Sequence, residues 1–166
     1  ISRVNLSMYP APCQCRCEYC YVPKKWVNSK KVTDAYDKLF SFLELAEQSG
    51  MIRDDASWTV ATGEITIHPY KDRIMKLLEQ KRVSFHTNVF IFDEAIAANL
   101  HNNIDSRLNF SIDSGTSGSW KKVKGVDNFT AVVSNLEKYC NYAIEKSQIL
   151  LKYIIIPGIN DTEEDY

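Results

Sequence analysis

Cys13-Gln14-Cys15-Arg16-Cys17-Glu18-Tyr19-Cys20 packs four of the chain's five cysteines into eight residues. Cys13, Cys17 and Cys20 stand at the spacing C-x3-C-x2-C, with Tyr19 just before the last. Pro10 and Pro12 precede the run and Pro23 follows it. Proline lacks an N–H and restrains the residue before it, so the stretch reads as a loop rather than a long helix. Thiolates gathered on one short loop can converge on a metal centre, and soft sulfur ligands favour zinc or iron–sulfur clusters. A structural zinc site would use Cys13, Cys15, Cys17 and Cys20. Zinc usually takes its four ligands as two separated pairs, and single-residue gaps strain that geometry. A disulfide framework belongs to small secreted domains, and nothing here resembles a signal peptide.

Composition sets the frame. The chain has 166 residues, 45% hydrophobic and 25% charged, enough for one globular domain with a real core. Its formal net charge of -1 gives no global field for nucleic acid or an anionic membrane, and neither partner is expected. The longest apolar run, residues 149–157, contains Lys152 and is too short to span a bilayer. Reduced cysteines without a targeting segment point to a cytoplasmic setting. Ile1 is not an initiator methionine, so residues 1–166 are expected to be an incomplete core domain of a larger protein.

Outward from the cysteines the chain alternates strand and helix signals. Residues 4–8 alternate apolar and polar and suit a strand. Thr33 is expected to cap a helix reaching about residue 48, with Gly50 at its C-terminal cap. Residues 57–61 read as a second strand, and a helix is expected from Pro69. Residues 83–86 form a third strand, and Asp93 caps a short helix to residue 98. Residues 108–112 read as a fourth strand, 130–145 as a long helix and 149–156 as a fifth strand. Thr162 and Asp165 look like a capping box opening one more helix. Strand–helix repetition argues for parallel strands joined by right-handed crossovers. A closed eight-unit barrel needs roughly 250 residues, so the expected class is α/β, a partial (β/α) barrel of about five to six parallel units. Ligand sites in such folds lie beyond the carboxyl ends of the strands. Every expected strand ends in polar or glycine-rich chemistry, which would converge on one rim.

The C-x3-C-x2-C run with its aromatic resembles the signature of the radical S-adenosylmethionine (SAM) enzymes, and the resemblance extends over nearly the whole chain. It implies a [4Fe-4S] cluster held by Cys13, Cys17 and Cys20, with the fourth iron open to SAM. Cys15 is an addition inside the first gap. Thr62-Gly63-Glu64 resembles the family's Gly-Gly-Glu stretch at the SAM amino group, with threonine replacing the first glycine and Ile65 where proline is common. Ser111 and Asp113 resemble fourth-strand residues that reach the ribose and carboxylate of SAM. Thr87 and Asn88 match less specifically. Pro157, Gly158 and Ile159 resemble the fifth-strand segment beside adenine, and Tyr19 would offer its backbone there. The resemblance implies a partial barrel lacking its last helix and strand, and reductive cleavage of SAM to a 5′-deoxyadenosyl radical. That radical would take hydrogen from a small-molecule or peptide substrate, with an electron donor such as flavodoxin or ferredoxin.

Blander readings stand beside these. Glu64 can be an exposed loop carboxylate, and Asp113-Ser114-Gly115 is good turn chemistry. His68, His86 and His101 read as solvated or core-satisfied. Lys152 must reach water or a carboxylate, and could line the cavity of a partial barrel. Cys140 reads as core. A non-catalytic interaction module stabilised by zinc or a cluster is the alternative to an enzyme.

Overall fold

In the computed structural model, which describes residues 1–7, 9, 11–22, 29–61 and 63–165, strand and helix alternate along the chain. The strands are β1 (Arg3–Ser7), β2 (Ser57–Ala61), β3 (Arg82–Thr87), β4 (Arg107–Ser111) and β5 (Ile149–Lys152). The helices are α1 (Lys30–Gln48), α2 (Lys71–Leu77), α3 (Glu94–Asn102), α4 (Ser117–Lys124) and α5 (Phe129–Tyr142). All neighbouring strands pair parallel, in the order β1-β2-β3-β4-β5. Right-handed crossovers in sequential order put every helix on the same face, which is how a barrel begins. The expected α/β class is what forms. Among the described residues no helix is long and apolar enough to cross a membrane.

One face of the sheet makes the core. Leu6, Trp58, Val60, Val83, Phe85, Leu108 and Phe110 are buried there. They pack with Tyr36, Phe40 and Leu43 of α1, Ile74 of α2, Ile96 and Leu100 of α3, Trp120 of α4 and Tyr139 of α5. Burying each large apolar side chain contributes about 1.5–3 kcal/mol, so this face carries the stability. The alternate residues Asn5, Ser7, Thr59, Ser84, His86, Asn109 and Ser111 are polar and remain at least partly exposed. A filled barrel would carry branched apolar side chains at those positions. Here that face is left open, as a wall.

Several element ends differ from expectation. Helix α1 starts at Lys30, because the Ser29 hydroxyl accepts the Val32 N–H, and Thr33 turns its own hydroxyl to the Ser29 carbonyl. Gly50 follows at φ +70 and donates to the Glu47 carbonyl, as a C-terminal cap should. Helix α2 begins at Lys71 rather than Pro69, since residues Ile65–Ile67 tighten into a 3₁₀ turn first. Asp93 does cap α3, accepting from Ala95 and Ile96, but the helix runs on to Asn102. Helix α4 was not expected at all. Strand β5 stops at Lys152, because the next amides find side chains instead of a strand: Ile154 N–H meets Asp113 and Ile156 N–H meets Asn160. The Thr162 hydroxyl donates to the Asp165 carboxylate, residues Glu163–Asp165 form a 3₁₀ turn, and Asp165 turns inward to Ser119 and the Gly115 N–H. Gly115 is required there, since a Cβ would lie 2.3 Å from the Asp165 carbonyl oxygen.

His68 is core-satisfied, only 5% exposed. Its Nδ1 accepts the Tyr70 N–H at 3.2 Å, so the neutral ring carries its proton on Nε2, 3.1 Å from the Tyr36 hydroxyl. A second proton would break the Tyr70 bond, and burial pushes the pKa from 6.5 down to about 4. Between those values the unfolded chain binds a proton that the folded chain does not, so stability falls as pH drops through that window. The fall attributable to His68 between pH 7 and pH 5 should be about 2 kcal/mol. Urea midpoints at the two pH values should draw together in His68→Gln; an unchanged gap would assign the loss elsewhere.

Candidate active site

The cysteine loop leaves β1 and is strapped down at two places. Pro12 accepts the Glu64 N–H at 2.7 Å, at the end of β2. Gly63 sits at φ +68, and a Cβ there would lie 2.7 Å from the Pro12 oxygen. Its backbone therefore makes a close approach to the loop itself. At the second place the Arg16 N–H donates to Lys124 O at 2.7 Å and the Glu18 N–H to Val123 O at 3.0 Å. Those carbonyls belong to the last turn of α4, where a helix has no internal donors left. Gly125 ends α4 at φ +67, and a Cβ would press on Arg16. Helix α4 is thus the seat of the cysteine loop.

The four thiols of the loop separate into two kinds. Cys13, Cys17 and Cys20 are partly exposed, whereas Cys15 is 1% exposed. Cys15 hydrogen-bonds Cys13 and Cys17: its bond lowers the Cys13 pKa to about 7, while Cys15 itself is pushed up. The Asn88 amide also donates to Cys13 Sγ at 3.6 Å. Both contacts bias Cys13 toward thiolate, the form that binds metal. Among the described residues no three His, Cys, Asp or Glu side chains are gathered around one metal-ion position.

Glu64 is fully buried, which removes the exposed-loop reading. Oε1 accepts from the Thr66 N–H and from the hydroxyls of Thr66 and Thr87, at 2.8–3.1 Å. Oε2 accepts the Asn88 N–H at 2.7 Å. Burial pushes its pKa up, and these hydrogen bonds pull it back down. The carboxylate thereby joins the ends of β2 and β3. Val89, next in line, takes φ +57, a strained value for a β-branched residue. That turn lets Asn88 face Glu64 with its backbone and Cys13 with its side chain.

Asp113 is also fully buried, at φ +50. Oδ2 meets Lys124 Nζ at 2.6 Å and the Tyr19 hydroxyl, and Oδ1 accepts the Ile154 N–H at 2.6 Å. Lys124 Nζ reaches the Tyr19 hydroxyl at 2.9 Å. Burial, followed by the bond to Asp113, pushes the Tyr19 pKa upward and keeps it a neutral donor. This buried group ties the cysteine loop, the end of β4 and the end of α4 together.

A cavity of about 570 Å³ opens at the carboxyl ends of the strands. Cys13, Cys17, Cys20, Tyr19, Gly63, Thr87, Asn88 and Ser111 line it, together with Asn5, His86, Asn109 and Lys152. Glu64 and Asp113 lie behind that wall with their carboxylate oxygens engaged by protein donors. Pro157, Gly158 and Ile159 are not among the described residues that line this cavity. Their turn is closed locally, by Gly158 N–H to Asp161 and Ile159 N–H to Ile156 O, after β5 has already ended. Thr62 lies outside the described residues. Lys124 was missed as a separate residue, although Thr116 and Gly125 are the cap signals of the helix that carries it.

Known structures share this architecture. Streptococcus suis SuiB bound to precursor peptide SuiA matches with a TM-score of 0.60 at 16% identity, over 85% of this chain and 30% of its own. Native anSMEcpe with bound AdoMet matches with a TM-score of 0.60 at 18% identity, over 90% of this chain and 43% of its own. This chain thus spans less than half the length of either. No curated protein matches significantly. The family model of the radical SAM superfamily matches residues 12–166, and the chain belongs to that family.

Proposed function

We propose that this chain is the catalytic core of a radical SAM enzyme, with Cys13, Cys17 and Cys20 as ligands of a [4Fe-4S] cluster and SAM in the adjoining cavity. The observation that carries this is the separation of the thiols: Cys13, Cys17 and Cys20, at C-x3-C-x2-C spacing, are partly exposed at the cavity, while Cys15, also at its wall, is only 1% exposed. Bound there, cluster and SAM would supply the chemistry, reductive cleavage of SAM and abstraction of a hydrogen atom from the substrate, while the protein's residues hold and orient them. The electron would come from a donor such as flavodoxin or ferredoxin. AdoMet in the anSMEcpe structure supports SAM as the ligand, and the precursor peptide on SuiB is consistent with a peptide or small-molecule substrate. The open cavity beside the thiols favours an enzyme over a non-catalytic module, whose metal site would need no cavity beside it.

The protein's own residues hold and orient. Gly63, Thr87, Asn88 and Ser111 offer backbone and polar groups to SAM at the strand ends. Asn88 directs a donor at Cys13. Lys124 and Asp113 fix Tyr19, and so fix the loop between Cys17 and Cys20. Glu64 holds the ends of β2 and β3 in register beneath.

Anaerobic reconstitution followed by a 5′-deoxyadenosine assay tests the proposal. Cys13→Ala, Cys17→Ala and Cys20→Ala should each lose most of the iron, and Cys15→Ala should keep it at a stability loss of about 1 kcal/mol. Full iron in Cys17→Ala, or its loss in Cys15→Ala, would show a different ligand set. Lys124→Met leaves Asp113 charged, buried and without its cation, so denaturant unfolding should show a loss of about 3–5 kcal/mol. Adding Asp113→Asn to that variant should recover part of it; no recovery would mean that the carboxylate is not the source of the cost.

A further inference from the structure

The cavity wall below the thiols carries no negative charge. The five strands read Arg-Val-Asn-Leu-Ser, Ser-Trp-Thr-Val-Ala, Arg-Val-Ser-Phe-His-Thr, Arg-Leu-Asn-Phe-Ser and Ile-Leu-Leu-Lys, without an aspartate or glutamate among them. Among the described residues no carboxylate lines the cavity either, and three basic side chains do: Lys124, His86 and Lys152. Lys124 is committed to Asp113. His86 and Lys152 are exposed to the cavity, and among the described residues neither has a side-chain hydrogen bond or ion pair.

Their positions are set by strand register. His86 on β3 lies opposite Asn109 on β4, and Lys152 on β5 lies opposite Ser111, two residues further along the same wall. The Asn109 amide is anchored on Ser84 at 2.8 Å and on the Phe85 carbonyl at 3.2 Å, so the floor between the two bases is fixed. The two groups share one space: burial first, and then the Lys152 charge, depress the pKa of His86. Two basic donors on a wall that shows no carboxylate among the described residues form a receptor for an anion. Lys152 stands level with Ser111 at the rim, beside the proposed SAM site, and His86 one step deeper, level with Asn109.

We propose that Lys152 and His86 hold a carboxylate of the substrate, so that the substrate class is anionic. This deepens the proposed radical SAM function and rests on it. Lys152 supplies the charge and His86 a directed N–H, while Ser111 and Asn109 complete a polar floor. The same chemistry could instead receive the carboxylate of SAM, and the test separates the two.

Calorimetry on the full-length protein with its cluster reconstituted uses glutarate as the probe and neutral glutaramide as its control. Glutarate should bind saturably and glutaramide should not. Lys152→Met should weaken glutarate about tenfold or more, as loss of a charge-assisted contact does, and Lys152→Arg should restore most of it. Lys152 is exposed, so folding is not at stake, and SAM affinity in Lys152→Met should stay within about twofold of the parent. Equal binding of glutaramide, or unchanged glutarate binding in Lys152→Met, would overturn the proposal. So would a parallel tenfold loss of SAM affinity, which would place the SAM carboxylate on Lys152. If the parent failed to cleave SAM while glutarate binding still depended on Lys152, the radical SAM reading would fail and the anion site would stand.

Discussion

The buried ion pair between Lys124 and Asp113 is the constraint on which the site depends. Two charges at 3% and 0% side-chain exposure are costly to bury, and the Tyr19 hydroxyl and the Ile154 N–H complete their hydrogen bonding. Each of the four groups comes from a different part of the chain: the cysteine loop, the end of β4, the end of α4 and the segment after β5. A loop rich in cysteine has little apolar surface with which to dock itself. Here it docks through backbone bonds to α4 and through this polar knot, so its thiols are placed by the strand ends rather than by the loop's own packing.

A second knot does the same on the other side. Glu64 takes donors from Thr66, Thr87 and Asn88, and Pro12 takes the Glu64 N–H. The rim is therefore tied at β2–β3 by one carboxylate and at β4–β5 by another. Both carboxylates resemble family residues that face SAM. In this chain they sit behind the cavity wall and hold up the residues that line it.

Much of this was legible in the sequence, and the reasons are physical. The cysteine spacing marked the loop, and alternation marked strands such as β4, because one face is buried and the other is not, while β5 was marked by its apolar run. Gly63 was marked too, and its backbone makes a close approach to Pro12. What escaped notice depends on contacts distant in sequence. Helix α4 has few apolar residues, and Trp120 and Val123 find their partners only in the fold. Strand β5 looked longer because Ile154, Leu151 and Ile156 are good strand residues, yet Asp113 and Asn160 take the amides that a strand would use. The burial of Glu64 and the left-handed turn at Val89 have no local signature, since each answers to a partner more than twenty residues away or to the packing around it.

The alternation along the strands also has an evolutionary consequence. The helix-facing side chains hold the sheet together, and the cavity-facing ones pack against little. A substitution at Asn5, Thr59, His86 or Lys152 thus removes few buried contacts, and exposed positions of that kind usually tolerate change within about 0.5 kcal/mol. In β2, β3 and β4 the buried alternate residues answer to folding, and most of the cavity-facing ones are left to answer to the ligand. Such a wall can be re-lined one residue at a time, each intermediate remaining folded, so that a lineage can drift between substrates without crossing a barrier of instability.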